Sequence, residues 1–166
     1  MWVTNQSGNS VTEIDPSSQS WVATLRARSY GFNQPMAITD SGPDLFVANA
    51  AGTVSEFLAS NGKLVRVIRG RQFGFVDPVA ITADGSRILV LNAGRPTAAT
   101  PVAGSMTEIN ARTGAFERVV SGSSFAFNDP AAFALSGPDV FIADEGGNAV
   151  TEVRVVKMCI RDRKIP

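Results

Sequence analysis

One phrase occurs three times in this chain of 166 residues. It reads YGFNQPMAIT at 30–39, FGFVDPVAIT at 73–82 and FAFNDPAAFA at 125–134. The starts of the copies are 43 and 52 residues apart. Internal repeats of this length indicate an architecture in which several copies of one small unit stack and bury a shared core.

A second marker shows four copies of the unit. A glutamate follows a serine or threonine in each copy, at spacings of 43, 52 and 44 residues: Glu13, Glu56, Glu108 and Glu152. The longest spacing contains the segment RPTAATPVA (95–103), which has no counterpart in the other copies. The unit is therefore about 43 residues long, with one insertion in one loop.

Each unit is predicted to contain four short strands. In the second copy these are PMAIT (35–39), DLFVANA (44–50), TVSEFLA (53–59) and LVRVIRG (64–70). Gly, Pro, Asn and Asp between them favour tight turns, and no segment shows the period of a helix. The second strand is apolar throughout in three copies (LFVA, ILVL and VFIA), which predicts that both of its faces are covered.

A four-stranded sheet repeated every 40 to 45 residues and stacked on its own copies is typical of a β-propeller blade. The sequence therefore predicts an all-β fold: a β-propeller fragment of about 3.5 four-stranded blades, with about 14 strands in an open arc. The predicted blades cover 1–29 (partial), 30–72, 73–124 and 125–155 (partial). Aromatic residues near the start of each copy are expected to wedge between adjacent blades: Phe32, Phe75 and Phe127.

The marker glutamates lie in the middle of the third strand. Glu56 and Glu108 are expected to pair with Arg66 and Arg118 on the fourth strand of the same copy. In the first copy Ala23 takes the place of the arginine, so the same pair cannot form there.

The motif P-x-A-I, followed by G-x-x-(L/I)-F-V-A-N and G-N-S-V-T-E-I-D, resembles the NHL-type and streptogramin-lyase-like propeller repeats of bacteria. The resemblance covers residues 1 to about 155 and lies in framework residues. Streptogramin-lyase-like enzymes are thought to use a histidine base near a bound cation, and this chain contains no histidine. The resemblance therefore implies the fold more strongly than the activity.

Composition excludes several function classes. Lys+Arg and Asp+Glu both number 15, and no basic run occurs, which argues against nucleic acid as a partner. No apolar stretch approaches the roughly 18 residues that a membrane span requires. The single cysteine, Cys159, cannot form an internal disulfide, and without histidine a Ser-His or Cys-His pair is impossible.

Both ends of the chain depart from the repeat. Met1 falls inside a predicted second strand, so we expect a fragment of a longer, extracytoplasmic or secreted protein whose true N-terminus is missing. The tail 156–166 matches no part of the repeat. Its segment MCIRDR (158–163) is what the reading frame ATG-TGT-ATA-AGA-GAC-AG would encode, and that string resembles the end of a transposase-type sequencing adapter. We interpret the tail as an artefact of metagenomic assembly, with a genuine basic tail as the alternative.

Candidate ligand-binding residues lie in loops at one end of the predicted blades. These loops are 27–34, 71–77 and 121–129, between the last strand of one blade and the first of the next, and 49–53, 92–105 and 144–149, between second and third strands. Loops on a rigid scaffold are a common place for binding sites. The insertion 95–103 is either a binding flap or neutral loop growth.

Three groups of side chains are singled out in these loops. Polar residues close the second strand of each copy, as ligand contacts or as residues that start a turn: Asn5, Asn49, Asn92 and Asp144. Residues before the prolines are expected to ring the mouth of the central channel: Gln34, Asp77 and Asp129. Carboxylates there could hold a divalent cation through oxygen ligands, and turn capping is the simpler explanation. Tyr30 is expected to be an exposed aromatic on the same face.

The sequence favours a non-catalytic binding or scaffold module whose ligand is a protein or a glycan, with no catalytic residue and no dedicated metal site. The alternative is a cation-dependent enzyme of the lyase or lactonase kind, with its catalytic residues largely in blades outside this chain. A third possibility is a purely structural repeat array within a larger surface protein.

Overall fold

The structure is a computed structural model that describes residues 1–95, 99 and 101–154. The predicted tail 156–166, with Cys159, and part of the insertion 95–103 lie outside the described residues. The described residues form fourteen strands in four antiparallel sheets of three, four, four and three strands. The strands of each sheet lie side by side in chain order, so each sheet is a meander.

We number the sheets as blades in chain order. Blade 1 contains β1 (Trp2–Asn5), β2 (Ser10–Asp15) and β3 (Ser20–Leu25). Blade 2 contains β4 (Pro35–Ser41), β5 (Asp44–Asn49), β6 (Thr53–Leu58) and β7 (Leu64–Ile68). Blade 3 contains β8 (Pro78–Asp84), β9 (Arg87–Asn92), β10 (Ser105–Asn110) and β11 (Phe116–Val120). Blade 4 contains β12 (Pro130–Ser136), β13 (Asp139–Asp144) and β14 (Ala149–Arg154).

The copies share fine backbone detail as well as strand order. A proline begins each of the strands β4, β8 and β12, where a missing N–H costs no ladder hydrogen bond. A β-bulge follows at the same place in each strand, after Pro35, Pro78 and Pro130. The repeated phrase therefore encodes a repeated start of the blade.

The loops before β4 and β8 each contain one short 3-10 turn, where the sequence predicted no helix. The turns cover Arg28–Tyr30 and Arg71–Phe73. Each is closed by a glycine in the left-handed region, Gly31 (φ 66°) and Gly74 (φ 61°), whose N–H donates to the arginine carbonyl at 3.1 Å. A turn of three residues is too short to show a helical period in the sequence.

Blade 4 has alanine where the other two copies have this glycine. Ala126 has a φ of 50°, a conformation in which the Cβ atom is strained. We expect Ala126→Gly to raise the free energy of unfolding by about 0.5–1 kcal/mol. Glycine relieves the strain of the folded chain, and the greater flexibility that it gives the unfolded chain offsets part of this gain. Ala27→Gly is the control, because Ala27 has an unstrained φ of −64° and gains nothing from glycine. Urea denaturation of both variants tests this, and equal effects would contradict it.

The blades stack face to face, and the second strand of each complete blade is buried on both sides. In β5, Leu45 and Val47 belong to the cluster shared with blade 1, whereas Phe46 and Ala48 belong to the cluster shared with blade 3. Successive side chains of a strand point to opposite faces, so one apolar run serves both neighbours.

Strand β9 repeats this division one blade further on. Ile88 and Val90 pack toward blade 2, and Leu89 and Leu91 pack toward blade 4. All four side chains are fully buried. The prediction that these second strands are covered on both faces is confirmed for β5 and β9.

The same prediction is wrong for β13. Val140 and Ile142 are buried against blade 3, but Phe141 is only half-buried and Ala143 is exposed. The physical reason is that, among the described residues, blade 4 has a neighbouring blade on one side only. Its apolar run therefore has one covered face.

The aromatic wedges lie where the sequence predicted them. Phe32 packs in the cluster of blades 1 and 2, Phe75 in that of blades 2 and 3, and Phe127 in that of blades 3 and 4. Each ring stacks on the aromatic residue two positions before it, with ring centroids 5.2 to 5.5 Å apart. The loops at the start of each blade are therefore anchored in the core.

The predicted cross-strand ion pairs also form. Glu56 lies opposite Arg66 in the ladder, with a nitrogen–oxygen distance of 2.7 Å. Glu108 lies opposite Arg118 at 2.6 Å, and it also accepts from Arg87 at 3.3 Å. Both carboxylates are about 98% buried or more, whereas Arg66 and Arg118 are partly exposed, so the carboxylate ends of these pairs lie in the core.

Candidate functional site

The candidate site is the loop face, which we define as the end of the blades where residues 26–34, 69–77 and 121–129 meet the loops between second and third strands. Hydrogen bonds join the two kinds of loop in the same way in three blades. The N–H groups of Ala50, Ala93 and Glu145 donate to the carbonyls of Gln34, Asp77 and Asp129 at 2.9, 3.0 and 3.1 Å. The loop face is therefore a bonded surface whose backbone is fixed by the repeat.

Gln34, Asp77 and Asp129 occupy equivalent places, one in each blade. Each has a positive φ, between 54° and 55°, and each precedes the proline of an innermost strand. Their backbone carbonyls make the hydrogen bonds between loops, whereas their side chains make no hydrogen bond among the described residues. Gln34 and Asp129 are exposed and Asp77 is half-buried.

No group of three or more His, Cys, Asp or Glu side chains that could hold a metal ion occurs in the part of the chain that the structure describes. The innermost strands of blades 2 to 4 instead line a cavity of about 310 Å³, which is walled by small and apolar side chains such as Ala37, Ala80 and Phe133.

Asn49 and Asn92 are completely buried at the ends of β5 and β9. The Asn49 amide donates to the Oγ of Ser55 and the Asn92 amide to the Oγ1 of Thr107, at 3.1 and 3.0 Å. The Asn49 Oδ1 also accepts from the N–H of Asn33 at 3.3 Å. These are the contacts expected of residues that organise a turn.

The hydroxyl groups continue this network into the next loop. Ser55 donates to the Tyr30 carbonyl at 2.6 Å, and Thr107 donates to the Phe73 carbonyl at 2.7 Å. In blade 4, Asp144 is 3% exposed and accepts from Thr151 at 2.8 Å. Asn5 in blade 1 donates to Thr12 at 2.9 Å. The polar groups that close the second strands are thus used inside the blades.

The structure corrects the expected position of Tyr30. Its ring is half-buried, stacks on Phe32 with a centroid distance of 5.2 Å, and packs against the cluster of blades 1 and 2. Its hydroxyl donates to the Gly62 carbonyl at 2.6 Å. The aromatic that the sequence placed on the surface therefore ties a loop to the next blade. Its copies, Phe73 and Phe125, make the same ring stacking.

Comparison with known proteins supports this architecture. No protein-family model matches the chain, and no curated protein matches it in sequence. Two similar solved structures are Sqt1 of Saccharomyces cerevisiae and the WD40 domain of Pan2 from Neurospora crassa. For Sqt1 the TM-score is 0.64 at 14% identity, over 89% of this chain and 39% of Sqt1. For Pan2 the TM-score is 0.60 at 9% identity, over 81% of this chain and 36% of that domain.

WD40 repeats build β-propellers. The chain has a β-propeller fold. The predicted fold class is thereby confirmed, and the chain spans less than two fifths of either structure. Among the described residues of the propeller, no helix is long and apolar enough to cross a membrane.

Sequence analysis missed a set of arginines on the propeller's loop face. Five exposed arginines, which we call the loop arginines, follow the outermost strands of blades 1 and 2 or begin the insertion of blade 3: Arg26, Arg28, Arg69, Arg71 and Arg95. Two pairs of them are separated by 43 residues, which is the repeat period. That spacing was the signal in the sequence that could have identified the loop arginines.

The insertion of the propeller's third blade has an ordered base. Arg95 and Val102 exchange two backbone hydrogen bonds, of 2.7 and 3.2 Å. Gly104 lies so close to blade 4 that a Cβ atom there would be 2.5 Å from the Pro130 ring. The two ends of the insertion, next to β9 and β10, are therefore fixed on the loop face.

The buried Glu56 is expected to make the stability of the propeller depend on pH. Burial raises the pKa of the Glu56 carboxyl, and the hydrogen bond and charge of Arg66 only oppose that rise. In the unfolded chain the carboxyl titrates at its ordinary, lower pKa, so folding favours its protonated form. We expect the free energy of unfolding of the wild type to rise relative to that of Glu56→Gln as the pH falls. The rise should occur between the higher pKa of Glu56 in the folded protein and its lower pKa in the unfolded chain. Urea titrations of both proteins across that window test this, and a difference that grows with rising pH would contradict it.

Proposed function

We propose that this propeller is a non-catalytic binding or scaffold module that holds a protein ligand on its loop face. One observation carries the proposal: the polar side chains that close the second strands are bonded inside the blades, whereas the exposed side chains of the loop face change along the blades. Asn49, Asn92 and Asp144 exemplify the first kind. The second kind includes the arginine that follows blades 1 and 2, Arg28 and Arg71, whose place Ser123 takes in the next copy.

A single asymmetric ligand needs a surface that is not repeated. The loop face offers one because its framework is fixed by the repeat while its exposed side chains vary. The insertion 95–103 adds a segment present in only one blade. The same Sqt1 and Pan2 structures support the proposal as propellers, although their sequence identities of 14% and 9% reach no further than the fold.

The finer parts of the proposal rest on the sequence. The repeated phrases resemble NHL-type propellers of bacteria, which favours that subclass and an extracytoplasmic or secreted location. A glycan ligand remains the alternative to a protein. The alternative function is a cation-dependent lyase or lactonase whose catalytic residues lie largely in blades outside this chain.

Selection of a random peptide library on the immobilised protein tests the proposal. We expect enriched peptides whose binding is lost in Ala51→Trp, because Ala51 is exposed on the loop face and an indole there covers neighbouring loops. Ser60→Trp is the matched control, since Ser60 is exposed at the opposite end of the same blade. Binding that survives Ala51→Trp, or that Ser60→Trp abolishes instead, would contradict a ligand site on the loop face. So would a failure to enrich any peptide.

A further inference from the structure

Nine of the ten arginines in the described residues fall into two sets, and Arg112, exposed in the hairpin between β10 and β11, belongs to neither. Those in strands pair with carboxylates within 4 Å: Arg66, Arg87, Arg118 and Arg154. None of the loop arginines has such a partner among the described residues. The chain therefore places paired arginines in its framework and leaves the arginines of one face open to solvent.

The loop arginines are presented from ordered backbone. Arg28 and Arg71 each begin a 3-10 turn. The carbonyl of each arginine accepts a hydrogen bond from the N–H of the glycine that closes the turn. The residues that end these turns, Tyr30 and Phe73, are fixed by ring stacking and by hydroxyl groups that donate to their carbonyls. A preorganised backbone lowers the entropy cost when a partner binds these side chains.

The repeat arranges the loop arginines in a row. Arg26 and Arg69 are equivalent in adjacent blades, and so are Arg28 and Arg71. Beside the second loop, the N–H of Gly94 donates to the Val76 carbonyl at 3.0 Å, which brings Arg95 next to the loop of Arg71. In the third copy serines stand at the arginine positions, so the row runs over blades 1 and 2 and ends at blade 3.

We propose that the loop arginines bind an acidic segment of a partner protein, which names the partner chemistry of the binding function proposed above and rests on it. Each guanidinium can form a planar, two-pronged pair with a carboxylate. All five cations are arginine and none is lysine, which favours this geometry over a diffuse positive charge.

Carboxylates beside the arginine row favour a short acidic peptide over nucleic acid. Asp77, Asp129 and Glu145 lie at the inner ends of the same loops. A long polyphosphate would cross these carboxylates, whereas a short acidic segment can follow the arginine row alone.

Fluorescence anisotropy with a short glutamate-rich peptide tests the inference. The variant is Arg28→Gln combined with Arg71→Gln, and the control is Arg112→Gln combined with Arg154→Gln. The control removes two exposed positive charges at the opposite end of blades 3 and 4, so both proteins change net charge equally. We expect the Kd of the peptide to rise about ten-fold in the first variant and about two-fold or less in the control. Circular dichroism confirms that both are folded.

Three outcomes overturn the inference. The peptide fails to bind, both double variants weaken it equally, or a short oligothymidylate binds the loop arginines more tightly than the peptide does. The last result would assign the row to nucleic acid. If the glutamate-rich peptide fails while the random library still yields peptides lost in Ala51→Trp, only this inference falls and the binding function stands. If the library also fails, both fall.

Discussion

Truncation of Phe46 to alanine is expected to lower the free energy of unfolding by about 3–5 kcal/mol. Phe46 lies in the second strand of blade 2, is 0% exposed and shares a cluster with Ile81 and Ile88 of blade 3. Removing its ring leaves a cavity between two blades that neither strand can close alone. Urea denaturation followed by circular dichroism measures the loss.

Phe116→Ala is the matched control for this prediction. Phe116 lies in the outermost strand of blade 3, is 39% exposed and touches Phe73 edge to face. The same chemical change there is expected to cost about 1 kcal/mol, because its side chain is already partly solvated. Equal losses in the two variants would mean that the interface between blades 2 and 3 does not hold the fold together.

Removal of the Glu108 carboxylate is expected to cost about 3–5 kcal/mol. Glu108 is 2% exposed and pairs with Arg118 at 2.6 Å and with Arg87 at 3.3 Å. In Glu108→Ala the Arg87 guanidinium, whose side chain is only 10% exposed, loses its buried partner and retains Asp84 alone. Asp84 compensates the Arg87 charge only in part, because one carboxylate then replaces two, and the remaining desolvation cost of the guanidinium is the main source of the loss.

The repeat supplies the control for this variant as well. Glu13 occupies the same position in blade 1, but it is only half-buried and lies opposite Ala23. Glu13→Ala is expected to change stability by less than about 1 kcal/mol. A large loss at Glu13, or none at Glu108, would show that the position matters for a reason other than the arginine pairs.

The framework of this propeller could be predicted from the sequence because the same pattern of strands recurs in each copy of the repeat. A short apolar strand must be covered on both faces, and only its own copies recur at the right spacing to cover it. The pairing of Glu56 with Arg66 was also predictable, because residues opposite each other in antiparallel strands interact directly.

The burial of a side chain that depends on an adjacent blade could not be predicted from the sequence in the same way. The sequence predicted that Tyr30 is a surface aromatic, but its hydroxyl donates a hydrogen bond to the carbonyl of Gly62 in the next blade. Phe141 looked like a core residue, but it is half-buried because blade 4 has a single neighbouring blade among the described residues. Composition gave no reason to notice the loop arginines, because their distinction is their shared place at one end of the blades without a carboxylate of the described residues within 4 Å.

Native-state hydrogen exchange tests most directly the claim that the second strands are held between stacked blades. We expect the amides of Phe46–Ala48 in β5 and of Leu89–Leu91 in β9 to exchange slowest, at the free energy of global unfolding. Amides of β3 and β14 should exchange through local openings at lower free energy, since each lies at the edge of a three-stranded sheet. Amides in β5 and β9 that exchange as fast as those in β3 and β14 would contradict the stacked arrangement.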